Sequence, residues 1–515
     1  MTAGIEAPRH GAVFVGRERE LAELVDGLDT AANGRGSLFL LAGEPGIGKS
    51  RLADELASLA RDRGFLVLWG RCWEAGGAPA YWPWVQGIRT YLRETDPGVL
   101  RAQLGAGAAD IAQLIPDVRE LLPELPESAA SDSEGARFRL FDRTASFLRT
   151  VAAEQPIIFI LDDLQSADPA SLLLLRFVAG TVNDSRLLIL GLYRDTELDP
   201  NIQLSETLTE LRREPAARVL PLQGLDEPDV TRFIDRTTDV TPPASLVMAV
   251  YEETEGNPLF VGELVRLLAQ EGHLGALESG ARLSIPPSVR EVIDRRIGHL
   301  SPGCIDLLRM ASVIGHEFEL EAVARLEERP ARELLDLVEE AVRARALTEI
   351  PATTGRLRFA HALIRDTLYD AIPASRRVAM HHRAGDVLEG LYGIEREAHL
   401  AELAHHFFLA IPDADPARAV DYARRAGDVA AARLAFEEAA RLFGVALQAL
   451  KLVETRDEDL RCELLLGIGD AQARSGDTPG ARETFFAAAG LANRLGRPEE
   501  MARAAIGYGG RFVWM

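Results

Sequence analysis

The sequence predicts an α/β fold at its N-terminal side: a doubly wound domain built on a five-stranded parallel sheet. An all-α domain, a winged helix and an α-helical solenoid follow it. Three observations predict this order. Between Ser37 and Arg61, an apolar run, a glycine-rich loop and a helical spacing of leucines succeed one another (SLFLLAGEPGIGKSRLADELASLAR). Apolar runs at 37–42, 65–69, 157–161, 187–192 and 218–222 alternate with helical stretches, the pattern of a parallel sheet buried on both faces. From about Leu400 the chain is helical and rich in alanine, with a spacing that recurs after 42 residues.

Composition narrows the functional classes. The 515 residues are 47% apolar, enough for several cores. The formal charge is −22. That excludes broad binding to nucleic acid or anionic membrane by this chain itself, because phosphate backbones need clustered Lys and Arg. Cys72, Cys304 and Cys462 are far apart and lack metal-ligand spacing, which fits a reducing, cytoplasmic setting. There is no secretory signal pattern and no apolar run of about 18 residues, so no membrane span is expected.

The first element that carries chemistry is the loop Gly43-Glu44-Pro45-Gly46-Ile47-Gly48-Lys49-Ser50, which together with Arg51 after it is expected to bind a nucleoside triphosphate. It fits G-x-x-x-x-G-K-[ST] and stands between a strand and a helix, the context the motif requires. Its glycines let backbone N–H groups turn inward on an anion, and the following helix presents its positive end. Lys49 is expected to reach the β- and γ-phosphates and Ser50 to hold Mg²⁺. An ordinary glycine-rich turn is the competing reading, and both flanks argue against it.

Phe14-Val15-Gly16-Arg17-Glu18 precedes a helix over about 18–29. The second strand, 65–69, opens a window that holds Trp69, Trp73, Trp82 and Trp84. We read that cluster as a packed satellite core beneath a Gly/Pro loop rather than a docking surface. Helices broken by Pro97, Pro116 and Pro123 come next, then a Ser-rich acidic linker at 126–134 and a helix over about 135–153.

The third strand ends in Asp162 and Asp163. Ligands of open parallel sheets lie beyond the strands' carboxyl ends. There Asp162 is expected to hold Mg²⁺ and Asp163 to polarise the attacking water. The competing reading is an ordinary turn after a strand. Asp168-Pro169 reads as the cap and first residue of a helix. The fourth strand ends in Tyr193-Arg194-Asp195, which places Arg194 to face a γ-phosphate; the alternative is a surface arginine paired with Asp195 or Glu197.

Helices are predicted from Asp226, over about 243–254 and over 258–272. Between Ser288 and Ile372 the pattern is three helices, a hairpin turning at Thr353, Thr354 and Gly355, and a helix. The last region repeats Gly427, Ala439, Phe443 and Ala446 as Gly469, Ala481, Phe485 and Ala488. This is the tetratricopeptide rhythm, in which small residues let paired helices approach and phenylalanine fills the seam. Such arrays bind peptides or partner domains, or serve as spacers. The terminal Phe512, Val513, Trp514 and Met515 are apolar where a solenoid should end in a polar cap, so a further segment is expected. The predicted domains are 1–224, with a helical insertion at about 74–134, then 225–285, 286–375 and 376–515.

Six stretches in this order, FVGRERE, GEPGIGKSRL, IIFILDDLQSADPASLLLL, LLILGLYRDTEL, EGNPLF and FAHALIRDTLYDAIP, carry a family resemblance. The chain resembles the STAND signal-transduction ATPases, a P-loop NTPase class of AAA+-like fold, and within them the N-terminal part of the large ATP-binding regulators of the LuxR family. The resemblance implies that Val15, Gly16 and Arg17 lie near the adenine and phosphates, and that Gly43 to Ser50 hold the triphosphate with Mg²⁺. It also implies that Asp162 binds the metal, that Asp163 is the hydrolytic acid and that Arg194 is a sensor. Pro258 would pack on adenine. His361 would match a winged-helix histidine that touches the β-phosphate of ADP and locks the off state.

The implied function is a nucleotide switch, ADP-bound when off and ATP-bound when on, with slow hydrolysis. Its partners would be an inducer ligand or protein at the repeats, other copies of itself in the ATP form, and DNA only through a domain beyond Met515. The alternatives are a turnover ATPase that remodels a partner and a nucleotide-stabilised tetratricopeptide scaffold.

Overall fold

The computed structural model describes residues 14–73, 77–125, 135–195, 202–238, 241–271, 288–350, 355–453 and 457–509. The linker at 126–134, the turn residues Thr353 and Thr354, the boundary at 285/286, Glu197 and the terminal Phe512 to Met515 lie outside the described residues.

The first sheet holds β1 (Ser37–Ala42), β2 (Leu66–Arg71), β3 (Ile157–Asp162), β4 (Leu187–Tyr193) and β5 (Ala217–Pro221). All pairings are parallel, in the order β2-β3-β4-β1-β5. The three inner strands are almost wholly buried, which is why their sequences are unbroken apolar runs. Alternation then sorts side chains to the two faces. Phe39, Leu41, Ile158 and Ile160 pack under the helices Glu18–Ala32 and Lys49–Asp62. Leu38, Leu40, Phe159 and Leu161 pack with Trp84, Leu148 and Leu175 from the helices Trp82–Glu94, Ala136–Glu154 and Pro169–Ala179. The sheet is thus covered on both sides, as predicted.

Trp84 is the anchor of the tryptophan window. It is fully buried, its Nε1 donates to the Ser171 carbonyl at 3.1 Å, and its ring meets Phe159 with centroids 4.8 Å apart. Asp168 caps the helix Pro169–Ala179 by accepting from Ser171 N–H.

Beyond β5, the helices Glu227–Thr238, Ala244–Thr254 and Pro258–Gln270 enclose a small core of Val230, Val250, Val261 and Leu264. Next come the helices Val289–Ile297, Pro302–Ile314, Leu320–Leu326 and Leu335–Arg343, with an antiparallel sheet of β6 (Glu317–Glu319), β7 (Leu347–Glu349) and β8 (Arg356–Phe359) in the order β6-β8-β7. The sequence predicts three helices and a hairpin here; four helices and a third strand are present. β6 is only three residues long with one buried side chain, Phe318, too short for a period of two to register.

The C-terminal helices pack as antiparallel pairs. In the pairs Pro416–Ala432 with Phe436–Leu450 and Glu458–Ser475 with Thr478–Leu495, a Cβ on Gly427 would lie 2.6 Å from Phe443 and one on Gly469 would lie 2.8 Å from Phe485. The recurrence at 42 residues is therefore a packing rule: glycine makes room for the phenylalanine of the next helix. The pairs also fold back on the first domain, where Arg137 meets Glu437 at 3.0 Å and lies over the Phe436 ring. Among the described residues no helix is long and apolar enough to cross a membrane.

Candidate nucleotide-binding site

The strand order creates the site. β4 lies between β1 and β3, so the loop after β1 and the acids after β3 converge over the tip of β4. Gly46 and Gly48 have φ of 84° and 103°, values that L-residues adopt only with strain. With them the loop curls, and Lys49 is buried with its Nζ donating to the carbonyls of Gly43 at 2.7 Å and Glu44 at 2.9 Å. Burial, and then the charge of Arg194, push the Lys49 ammonium down to about 8. Such an ammonium gains most from an incoming anion.

Ser50 lies one residue into the helix, and its hydroxyl donates to Asp162 at 3.1 and 3.3 Å. Burial raises the Asp162 carboxyl, but Arg71, Ser50 and Lys49 outweigh it and hold it below its ordinary range. Asp163 is pushed the other way, up, by burial and by the charge of Asp162. Its φ is +58°, a left-handed backbone that a non-glycine residue keeps only under local constraint. Gln165 supplies part of that constraint. Its amide donates to Asp163 at 3.0 Å, and its oxygen accepts from Arg194 N–H at 3.2 Å. Arg194 turns inward, with Nη2 3.8 Å from Asp163. The two adjacent acids thus differ in proton affinity: Asp162 is held toward the carboxylate and Asp163 is pushed toward the protonated form.

The segment before the first helix also reaches the loop. Arg17 is buried and donates to the carbonyls of Ile47 at 3.1 Å and Gln223 at 2.5 Å. Gly16 lies against Asp229, and Val15 is part of the core of the following helical domain. Arg51 does not join them. Its guanidinium pairs with Glu55 at 2.8 Å and lies over Phe14, because one step along the helix from Ser50 turns it away from the loop.

The helical domain meets the loop end-on. Pro258 opens the helix Pro258–Gln270, and its ring lies 4.0 Å from where a Cβ on Gly48 would be. Leu259 N–H donates to the Gly46 carbonyl at 3.2 Å. The Asn257 amide donates to the Pro45 carbonyl at 3.0 Å while its oxygen caps the helix. His361 arrives from the third side. It caps the helix Ala362–Asp370, its Nδ1 accepting from Leu363 N–H at 3.2 Å, which places the proton of the neutral ring on Nε2. Burial and the charges of Arg194, Lys49 and Arg71 push this histidine down to about 3. A cleft of about 580 Å³ lies among these parts, lined by Pro45, Ile47, Gln223, Asn257, Val289 and Leu363 among others.

Two residues of the site escaped sequence reading, and a third was legible only as a helix cap. Arg71 donates to Asp162 at 2.9 Å; the predicted second strand stops at Trp69, two residues short of it. Gln165 has no sequence signal. Asn257 was visible as the polar residue before Pro258, the usual sign of a helix cap.

The donor set fits a magnesium–nucleotide. A hydroxyl and a carboxylate are hard oxygen ligands of the kind Mg²⁺ takes while keeping several waters. The glycine cradle, one lysine and one arginine suit phosphates. Among the described residues no group of three or more His, Cys, Asp or Glu is placed to hold a metal, and this mode of holding Mg²⁺ needs none.

Residues 13–190 match the family model of the AAA ATPase domain. The chain is 24% identical over 420 residues to an uncharacterized protein of Rhizobium meliloti (strain 1021), covering 77% of this chain and 39% of that protein. It thus spans about two fifths of that relative's length. Among solved structures it is similar to a STAND protein with a tetratricopeptide repeat sensor from Pyrococcus horikoshii, at 15% identity and a TM-score of 0.46, covering 98% of this chain and 68% of that one. It is also similar to a Walker-type ATPase of Pyrococcus abyssi, at 16% identity and a TM-score of 0.33, covering 69% and 96%. A third is Cdc6p from Pyrobaculum aerophilum, at 14% identity and a TM-score of 0.34, covering 72% and 96%.

Proposed function

We propose that the chain is a nucleotide-operated signalling switch of the STAND type and the sensing portion of a LuxR-type transcriptional regulator. ADP holds the off state and ATP the on state. The observation that carries this reading is the meeting of three modules at one phosphate loop. The N-terminus of the helix Pro258–Gln270 is hydrogen-bonded to Pro45 and Gly46, and Leu363, in the helix that His361 caps, lines the same cleft as Pro45 and Asn257. A ligand in that cleft therefore touches every part whose arrangement it would control. It can act only through unequal affinity for the two arrangements.

The residues divide the work. Gly43 to Ser50 and Lys49 would bind the phosphates; Ser50 and Asp162 would hold Mg²⁺, which supplies charge neutralisation between phosphate oxygens. Asp163, with its raised affinity for a proton, suits a general base. Arg194, beside Asp163, would sense the terminal phosphate. Pro258 and Arg17 would border the nucleoside end. His361 would offer its Nε2 proton to a phosphate oxygen from the winged helix. The region after residue 400 would receive the inducer, ATP would promote self-association, and DNA would be reached only through another part of the regulator.

The test is the nucleotide content of purified protein and its turnover. ADP should copurify, with hydrolysis far slower than one cycle per second, and Lys49→Ala should carry none. Sustained rapid turnover would favour a remodelling ATPase instead.

A further inference from the structure

The β2 tip carries a cation that the switch reading leaves without a role. Arg71 is the register partner of Asp162 in the sheet, and its backbone N–H is fixed by the Gln86 side chain at 2.7 Å. The guanidinium touches three carboxylates: Asp162 at 2.9 Å, Asp163 at 3.9 Å and Glu317 at 3.7 Å. The first two border the magnesium position. The third is on β6, so one side chain ties the metal-binding carboxylate to the β6–β8 module.

We propose that Arg71 is a positioning residue that latches the β6–β8 module against the metal site, so that metal binding at Asp162 and docking of β6 oppose each other. The Asp162 oxygen that accepts from Arg71, Oδ2, also accepts from Ser50 at 3.1 Å. Oδ1 already accepts from Asp163 N–H at 3.0 Å, which leaves Oδ2 for a divalent cation held by Ser50 and Asp162, and that cation would repel the guanidinium beside it. Arg71 must then swing off Asp162. Asp163 remains within its reach, so the arginine keeps a partner. Glu317 keeps one too, because Arg358 on the adjacent strand β8 lies 3.7 Å from it. Neither group is orphaned when the latch opens, which removes the main cost of breaking a buried pair. The coupling is reciprocal: whatever docking gains from Arg71, metal binding loses.

The proposal rests on the nucleotide reading, and one experiment separates the two. MgCl₂ is titrated into ADP-loaded full chain, and hydrogen exchange is followed at 317–319 and 356–359. In the unaltered protein, Mg²⁺ should raise exchange there severalfold. Arg71→Gln should bind Mg²⁺ about tenfold more tightly, the worth of one charge-assisted hydrogen bond, and show the same exchange with and without it. Glu317→Gln leaves the Asp162 side intact. It should also tighten Mg²⁺ binding and abolish the Mg²⁺ response, which keeps the test open if Arg71→Gln fails to fold. ADP binding with unchanged Mg²⁺ affinity in either folded variant overturns the latch alone. Absence of ADP binding in the unaltered protein overturns the nucleotide reading, and the latch with it.

Discussion

The side-chain amide of Asn257 donates to the carbonyl of Pro45 at 3.0 Å, so the helical domain is hydrogen-bonded to the phosphate loop itself. The same side chain caps its helix through Leu259 and Phe260 N–H. Asn257→Ala should lose about 1 kcal/mol of stability, as cap deletions do. It should also release ADP severalfold faster, because the loop loses its tether. Denaturant unfolding and an ADP chase check the two effects. A stability loss with an unaltered release rate would confine Asn257 to capping.

Glu263 and Arg296 form an ion pair between the helices Pro258–Gln270 and Val289–Ile297, with both side chains almost fully buried. Removing one partner of such a pair leaves a buried charge and typically costs 3–5 kcal/mol. Glu263→Ala should therefore destabilise by about 3 kcal/mol or more, whereas Glu263→Leu with Arg296→Met should recover most of the loss. Urea midpoints of the two variants measure this. Equal losses in both would show that the pair is stabilising in its own right.

Gly46 and Gly64 both have positive φ, at 84° and 79°, but only Gly46 has neighbours. A Cβ on Gly46 would lie 2.7 Å from Leu259, while one on Gly64 would meet nothing within 4 Å. Gly64→Ala should cost only backbone strain, about 1–2 kcal/mol. Gly46→Ala should also force the helical domain off the loop and weaken ADP binding by more than tenfold. Calorimetric titration of both variants decides it; equal affinities would mean that the loop and helical domain are not in contact when ADP is bound.

Acid should weaken the fold around His361 and the junction with the repeats. Burial pushes His361 and His381 down to about 3 and His405 to about 4. The last two, with His406, face one another and Tyr369, Arg365, Arg377 and Arg441. A histidine whose folded pKa is depressed contributes stability that is full above its unfolded value near 6.5. That stability is lost as pH falls toward 3–4. Asp168, raised to about 6 by burial, and Asp163, raised by burial and by Asp162, act with the opposite sign, but His361, His381, His405 and His406 outnumber them. The Tm should therefore drop between pH 7 and pH 5. A flat or rising Tm would contradict neutral, buried histidines.

The sheet, the glycine loop and the helical repeat were legible because each is a local pattern. Periodicity gave the strands, spacing gave Gly43 to Ser50, and the Gly427–Phe443 and Gly469–Phe485 pairs follow from a recurrence that anyone can count. The ends of elements were less legible. β2 runs to Arg71 rather than Trp69 because pairing with β3 continues through Gly70 and Arg71, and a ladder is not a property of one segment. Gln165 and Glu317 were invisible for the same reason: their roles exist only across the packed interface. Arg51 follows Ser50 in the sequence but its side chain pairs with Glu55, because a motif records adjacency in sequence, whereas a helix sends neighbours in different directions.

The central claim is that an adenine nucleotide in the cleft sets the arrangement of the three modules around the phosphate loop. Hydrogen exchange at 257–264 and 361–368 in the presence of ADP or a non-hydrolysable ATP analogue tests it most directly. The account predicts protection of both segments with ADP and at least tenfold faster exchange with the analogue. Identical exchange in the two nucleotides, with both shown to bind, would contradict it.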